Sequence, residues 1–267
     1  MSVKGRVLVG IPIFKGHEKW VDEICNHYHS CDIMIIDNTV NDDSLYQTLQ
    51  KLKKKKTNSI VEVQKHDWIP EEQWVFYMLG DCWNKCIDYA IKEGYDYLLW
   101  TSSDIFYETG CGDDGVELLQ SHDKDYVGFP VNMYGDDGPP SVYKDTGMVW
   151  NYEKKKFIPN HYSWDELEMM PTRLLNCNGC IGFSLIKVDV IKKCRFKFPD
   201  YKGWVWGEDL FYLQEIKKEG FELFCDLDHR AINHTEPSDY VKDIINQYYR
   251  RWIPDAKRGE EKGKDAT

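Results

Sequence analysis

No stretch of the sequence approaches the roughly 18 consecutive apolar residues that a membrane-spanning helix requires, and the opening MSVKGRVLVGIPIF holds only a short apolar run that reads as a strand rather than a leader. A cytoplasmic protein, at most peripheral to a membrane, is expected. Positive charge is also in short supply: 34 Lys+Arg face 45 Asp+Glu, for a net charge of −11. That balance disfavours nucleic-acid phosphates and anionic lipid as partners and leaves a small molecule. There is no GxGxxG dinucleotide loop, no GxxxxGK[ST] phosphate loop and no internal repeat, so dehydrogenases and P-loop NTPases lose ground. The nine cysteines are an odd number without a secretion signal, so reduced packing thiols are expected. Cys177-Asn-Gly-Cys180 has zinc-knuckle spacing, but no second Cys/His pair follows at finger-like distance.

What is present points to one α/β enzyme domain over 1–256, with a nucleotide-binding half over about 1–130, an acceptor half over about 131–256 and a charged tail over 257–267. Apolar β-branched runs recur at Val7 to Ile13, Ile33 to Ile36, Ile60 to Val63, Tyr97 to Trp100 and Tyr126 to Val131. Helical patterns separate them, such as Trp20, Ile24 and Tyr28, or Val75, Leu79, Cys82 and Cys86. Alternation of this kind predicts a mostly parallel sheet covered by helices. Between Gly135 and Asn176 it fades into Gly-Asp-Asp-Gly-Pro-Pro and a hairpin around Lys154 to Lys156, which reads as an acceptor-side insertion or lid. Order returns with a strand at Gly182 to Ile186, a helix from Glu208 to Glu219 stopped by Gly220, a strand at Leu223 to Cys225 and a last helix over Tyr240 to Trp252, with Ser238 as N-cap. The lysine run Lys53 to Lys56 closes a predicted helix, where positive charge suits the helix dipole.

Candidate chemistry gathers where strands end. In open α/β sheets ligands collect beyond the carboxyl ends of the strands, near the topological switch point. Pro12 and Phe14 close the first strand, and Asp37 and Asn38 close the second, able to hydrogen-bond a nucleotide base or to cap a turn. The strand Tyr97 to Trp100 runs into Thr101-Ser102-Ser103-Asp104, leaving one carboxylate where a cation and a diphosphate would meet. Trp204 and Trp206 precede Glu208 and Asp209 at a helix start; sugar rings stack on aromatics and carboxylates bind hydroxyls. An acceptor hydroxyl attacking an anomeric carbon must lose its proton, and Asp209 is the expected general base, with Glu208 orienting sugar hydroxyls. A plain helix-dipole role is the competing assignment for this acidic pair. His234 is a candidate metal ligand or a structural histidine.

Taken in order, these landmarks resemble glycosyltransferase family two, with its GT-A fold, from about Val7 to Trp252. The resemblance implies that Pro12, Phe14, Asp37 and Asn38 hold a nucleoside and that Asn84, one helix before the acidic motif, helps order the donor pocket. It aligns Ser102-Ser103-Asp104 with the family's Asp-x-Asp metal motif, so that only the last carboxylate is present for Mn2+ or Mg2+. Gly179-Cys180-Ile181-Gly182-Phe183 resembles the turn and strand before the acceptor region, and Gly207-Glu208-Asp209 the family's Glu-Asp motif, whose second acid is the base. Gln247-Tyr248-Tyr249-Arg250-Arg251-Trp252 is one residue longer than the Gln-x-x-Arg-Trp motif of processive members; Arg250 or Arg251 is assigned either to the diphosphate or to a solvated helix end. The expected activity is transfer of a sugar from a nucleoside-diphosphate donor, UDP- or GDP-linked first, to a glycan or other hydroxyl acceptor with inversion. A retaining transferase and a non-catalytic nucleotide- or glycan-binding protein on the same fold are the alternatives.

Overall fold

A computed structural model describes residues 4–55, 59–67, 75–133, 138–151, 156–197 and 208–234. The chain begins with β1 (Val7–Ile13), a 3-10 turn at Glu18–Trp20, α1 (Val21–His27), β2 (Asp32–Asp37), α2 (Ser44–Lys55), β3 (Ile60–Lys65) and α3 (Val75–Lys92). It continues with β4 (Tyr97–Thr101), β5 (Ile105–Tyr107), α4 (Gly112–Ser121) and β6 (Tyr126–Gly128). The next stretch holds β7 (Tyr143–Asn151), β8 (Lys156–His161), α5 (Trp164–Glu168), β9 (Leu174–Cys177), β10 (Phe183–Lys187) and α6 (Val188–Lys193). Last come α7 (Glu208–Lys218), β11 (Leu223–Asp226) and β12 (Ala231–Asn233).

Eight strands form the main sheet in the order β3-β2-β1-β4-β10-β6-β11-β9. The first four are mutually parallel, as the alternation predicts, with Leu8 opposite Asp32 and Leu98 in the β1 register. The run Tyr126 to Val131 stays in the ladder only to Gly128, because Pro130 has no N–H to donate. β10 is inserted antiparallel between β4 and β6, and β9 runs antiparallel to β11, so the sheet is mixed though mostly parallel. All seven residues of β1 are buried, because helices cover both faces. Val7, Val9, Ile11 and Ile13 pack with Ile24, Leu45 and Leu49 on one side. Leu8, Met34 and Ile36 pack with Cys82, Cys86 and Ile87 on the other. The helical stripe through Cys82 and Cys86 is therefore core, and eight of the nine free thiols are buried.

The hairpin expected around Lys154 to Lys156 is β7–β8, a two-stranded sheet separate from the main one. β12 pairs with β5 in a second small sheet and brings Asn233 opposite Ile105. Among the described residues no helix is long and apolar enough to cross a membrane. The expected final helix with its Ser238 cap, Arg250, Arg251, Trp204, Trp206 and the 257–267 tail lie outside the described residues.

Candidate functional site

β2 and β3 lie on one side of β1 and β4 on the other, so the carboxyl ends of β1 and β4 flank the switch point, where parallel topology leaves a crevice. A cleft of about 510 Å³ opens there. Seven predicted residues line it: Pro12, Phe14, Asn38, Ser102, Ser103, Asp104 and Asp209. Pro12 and Phe14 come from the end of β1, Asn38 follows β2 with its N–H on the Ile13 carbonyl at 2.8 Å, and the Ser102 carbonyl accepts from Ile105 N–H in the turn after β4. Leu79, Trp83 and Trp100 make an apolar flank, and Ile181 and Gly182 with Ser141 make the opposite wall. That wall is tied together by Ser141 Oγ, which donates to the Ile181 carbonyl at 2.7 Å and accepts from Val131 N–H at 3.0 Å. Gly182 has φ +100°, and a Cβ there would lie 3.1 Å from Val131 and 3.2 Å from Ile105.

The acidic groups in the cleft are held with raised pKa values. Asp104 is 6% exposed, and burial pushes its carboxyl up to about 6. Half-buried Asp209, at the first turn of α7, is also pushed up to about 6 by burial, against the opposing pull of hydrogen bonds from Leu210 N–H and the Tyr143 side chain. The Leu210 bond is 2.7 Å long. Phe196 stacks on Tyr212 of α7 at 4.0 Å, and both meet Trp100 edge-on, so the helix carrying Asp209 is braced against the strand leading to Asp104.

Four other predicted residues are placed differently. Asp37 is fully buried beside the cleft: one carboxylate oxygen accepts from Thr39 N–H at 2.9 Å, and the other pairs with Lys65 Nζ at 3.1 Å. Its side chain braces the loop after β2, and Asn38 faces the cleft instead. Asn84 does not line the cleft; its amide makes two bonds with the Phe196 main chain, at 2.9 and 3.0 Å. Gly179 packs on α7, where a Cβ would stand 2.3 Å from Leu213. His234 is exposed and lies at a tilt against the rings of Trp20 and Phe106, but its main-chain N–H donates to the Asp104 carbonyl at 2.8 Å. The side chain of Glu208 lies outside the described residues.

His17, Trp83, Met133, Ser141 and Asn233 also line the cleft, and no sequence motif marks them. His17 is a lone histidine in a glycine turn, and no spacing rule marks it; the others come from segments with no shared periodicity.

A divalent cation is tested by the donor set. Among the described residues no group of three or more His, Cys, Asp or Glu could hold an ion by itself. Asp104 is a buried carboxylate for which the described residues supply no cationic partner, and that suits an ion arriving with phosphate oxygens, since Mg2+-type ions often take one or two carboxylates with substrate phosphates and water. The residues therefore fit a one-carboxylate anchor.

No protein-family model matches this chain. No curated protein matches it in sequence. Solved structures do match in fold. A crystal structure of GalNAc-T7 with UDP, GalNAc and Mn2+ is similar over 91% of this chain and 48% of that one, with a TM-score of 0.51 and 12% identity. TarS of S. aureus is similar over 92% of this chain and 39% of that one, with a TM-score of 0.53 and 14% identity. The chain thus spans about half the length of these neighbours, or less. The switch-point cleft accordingly sits in an α/β fold with a mixed, mostly parallel sheet of the kind found in GT-A glycosyltransferases.

Proposed function

We propose that this protein is a glycosyltransferase that moves a sugar from a nucleoside-diphosphate donor to an acceptor hydroxyl, with inversion. The observation that carries this reading is the convergence of Asp104 and Asp209 on one switch-point cleft in a GT-A-like fold. The nucleoside lies between Pro12 and Phe14 on one side and Asn38 on the other, and the diphosphate lies over Ser102, Ser103 and Asp104. When bound through Asp104, Mn2+ or Mg2+ neutralises charge on the leaving diphosphate. Asp209 takes the proton of the acceptor hydroxyl as its oxygen attacks the anomeric carbon, and a carboxyl raised to about 6 is a stronger base than a solvated one while still ionised at neutral pH. Glu208, Trp204 and Trp206 are assigned to the sugar, and His234, beside Asp104, is a further candidate ligand for the ion. The GalNAc-T7 neighbour was crystallised with UDP and Mn2+, which makes that pair the first to try.

The test is calorimetric titration of the protein with UDP, GDP, CDP and dTDP, each with and without Mn2+. Saturable binding of at least one, followed by sugar transfer from the matching donor with an inverted anomeric centre by NMR, is expected. Absence of binding to all four would remove the proposal, and a retained anomer would remove the role of Asp209.

A further inference from the structure

Beside Asp104 the cleft carries a polar pair that neither the cation nor the base uses. His17 Nδ1 lies 2.8 Å from Ser103 Oγ. Both residues line the cleft and are buried, at 4% and 1% exposed. Their contact spans the switch point, joining the turn after β1 to the turn after β4. The imidazole is held from a second direction by Phe14, whose ring lies 3.9 Å away, and the His17 main-chain N–H bonds the Phe14 carbonyl at 3.1 Å.

Burial pushes the His17 imidazole down to about 4, so at neutral pH the ring has one N–H and one lone pair. If the lone pair faces Ser103, the serine proton is consumed inside the pair. If the N–H faces Ser103, the imidazole donates to Oγ and the serine proton is left to donate onward. An anionic oxygen in the cleft favours the second arrangement, because a hydrogen bond to a charged acceptor is the stronger one. The aligned triplet has the Ser102 hydroxyl where the second carboxylate would stand and Ser103 as its middle residue, so neither position brings a second negative charge to the phosphates. A carboxylate beside a phosphate repels it unless a cation intervenes; a hydroxyl does not.

We propose that His17 is a positioning residue that orients the Ser103 hydroxyl proton toward a phosphate oxygen of a nucleoside diphosphate, so that a neutral donor next to the missing carboxylate holds part of the diphosphate. This deepens, and rests on, the nucleotide-sugar reading of the cleft. Part of the nucleotide affinity therefore survives removal of the divalent cation.

The experiment is calorimetry with UDP, GDP, CDP and dTDP in EDTA and in Mn2+, on the wild type, His17→Ala, Ser103→Ala, the double variant and His17→Asn, with a melting curve for each. Asparagine places an amide nitrogen close to the imidazole Nδ1 position. In EDTA the Kd of the bound nucleotide should rise about ten- to a hundredfold for either alanine variant and no further in the double variant, a size expected for one hydrogen bond to a charged group. His17→Asn should stay within about threefold of wild type, and in turnover the alanine variants should raise donor KM with kcat nearly unchanged. If His17→Ala does not fold, Ser103→Ala and His17→Asn carry the same comparison. Losses that multiply in the double variant, wild-type affinity in Ser103→Ala, or binding abolished by EDTA in the wild type would overturn the positioning role while leaving the nucleotide site standing. A wild type that binds none of the four nucleotides, with or without Mn2+, would overturn both.

Discussion

Asp104 and Asp209 hold their protons more tightly than a solvated carboxyl because both are withdrawn from water. For Asp209 as the base, the ionised form is the active one, so kcat/KM should climb as pH rises through about 6 and level off above it. A profile flat from pH 5 to 8 would contradict that role. Asp209→Asn should lower turnover by at least a hundredfold while leaving the nucleotide Kd within about twofold, since the base acts on the acceptor. Burial also bears on stability. An acid whose folded pKa lies above its unfolded value of about 3.9 binds protons better when folded, so its contribution is most favourable below that value and is lost as pH rises to about 6. Asp104→Asn should therefore raise the melting temperature at pH 7.5, by an amount equivalent to roughly 1–3 kcal/mol, with the gain shrinking toward pH 4. The same substitution should reduce the dependence of nucleotide binding on Mn2+, which calorimetry measures directly. Seven cleft residues were legible in the sequence because each stands at the end of an apolar run or helix start. Asp37 and Asn38 also stand at such an end, but which of the two faces the cleft depends on Lys65, 28 positions away. No local pattern reports that pairing.

At the scale of elements, the long helices and parallel strands were readable because their periodicity repeats over many residues. The three-residue strands β5 and β12 are too short for a period to show, and α4 opens Gly112-Asp113-Asp114-Gly115, a composition that resembles a turn. The antiparallel course of β10 left no trace either, since a largely buried strand with an apolar run looks the same in both directions. One wall of the cleft depends on the turn that feeds this strand. Gly182→Ala would place a side chain on a backbone with φ +100° and against Val131 and Ile105. A loss of about 1–3 kcal/mol in urea unfolding is expected, together with weaker nucleotide binding. A fully stable, fully binding variant would show that the wall can yield.

At the scale of the molecule, strands from before and after residue 131 share one sheet, with β10 wedged between β4 and β6. Neither the early nor the late part of the chain can lose its strands without opening the other's edges. Urea unfolding followed by tryptophan fluorescence and by far-UV circular dichroism should therefore coincide in one transition; two separated transitions would mean that the halves are independent units.

The β7–β8 hairpin stands outside that shared sheet, which makes it the part most open to exchange by evolution or by engineering. Its root residue, Tyr143, nevertheless donates to the carboxylate of Asp209 and lowers its pKa. Grafting a foreign hairpin without a tyrosine at its root would thus retune the acidity of the base along with any change in what the hairpin contacts, and would carry the rising limb of the pH–rate profile upward.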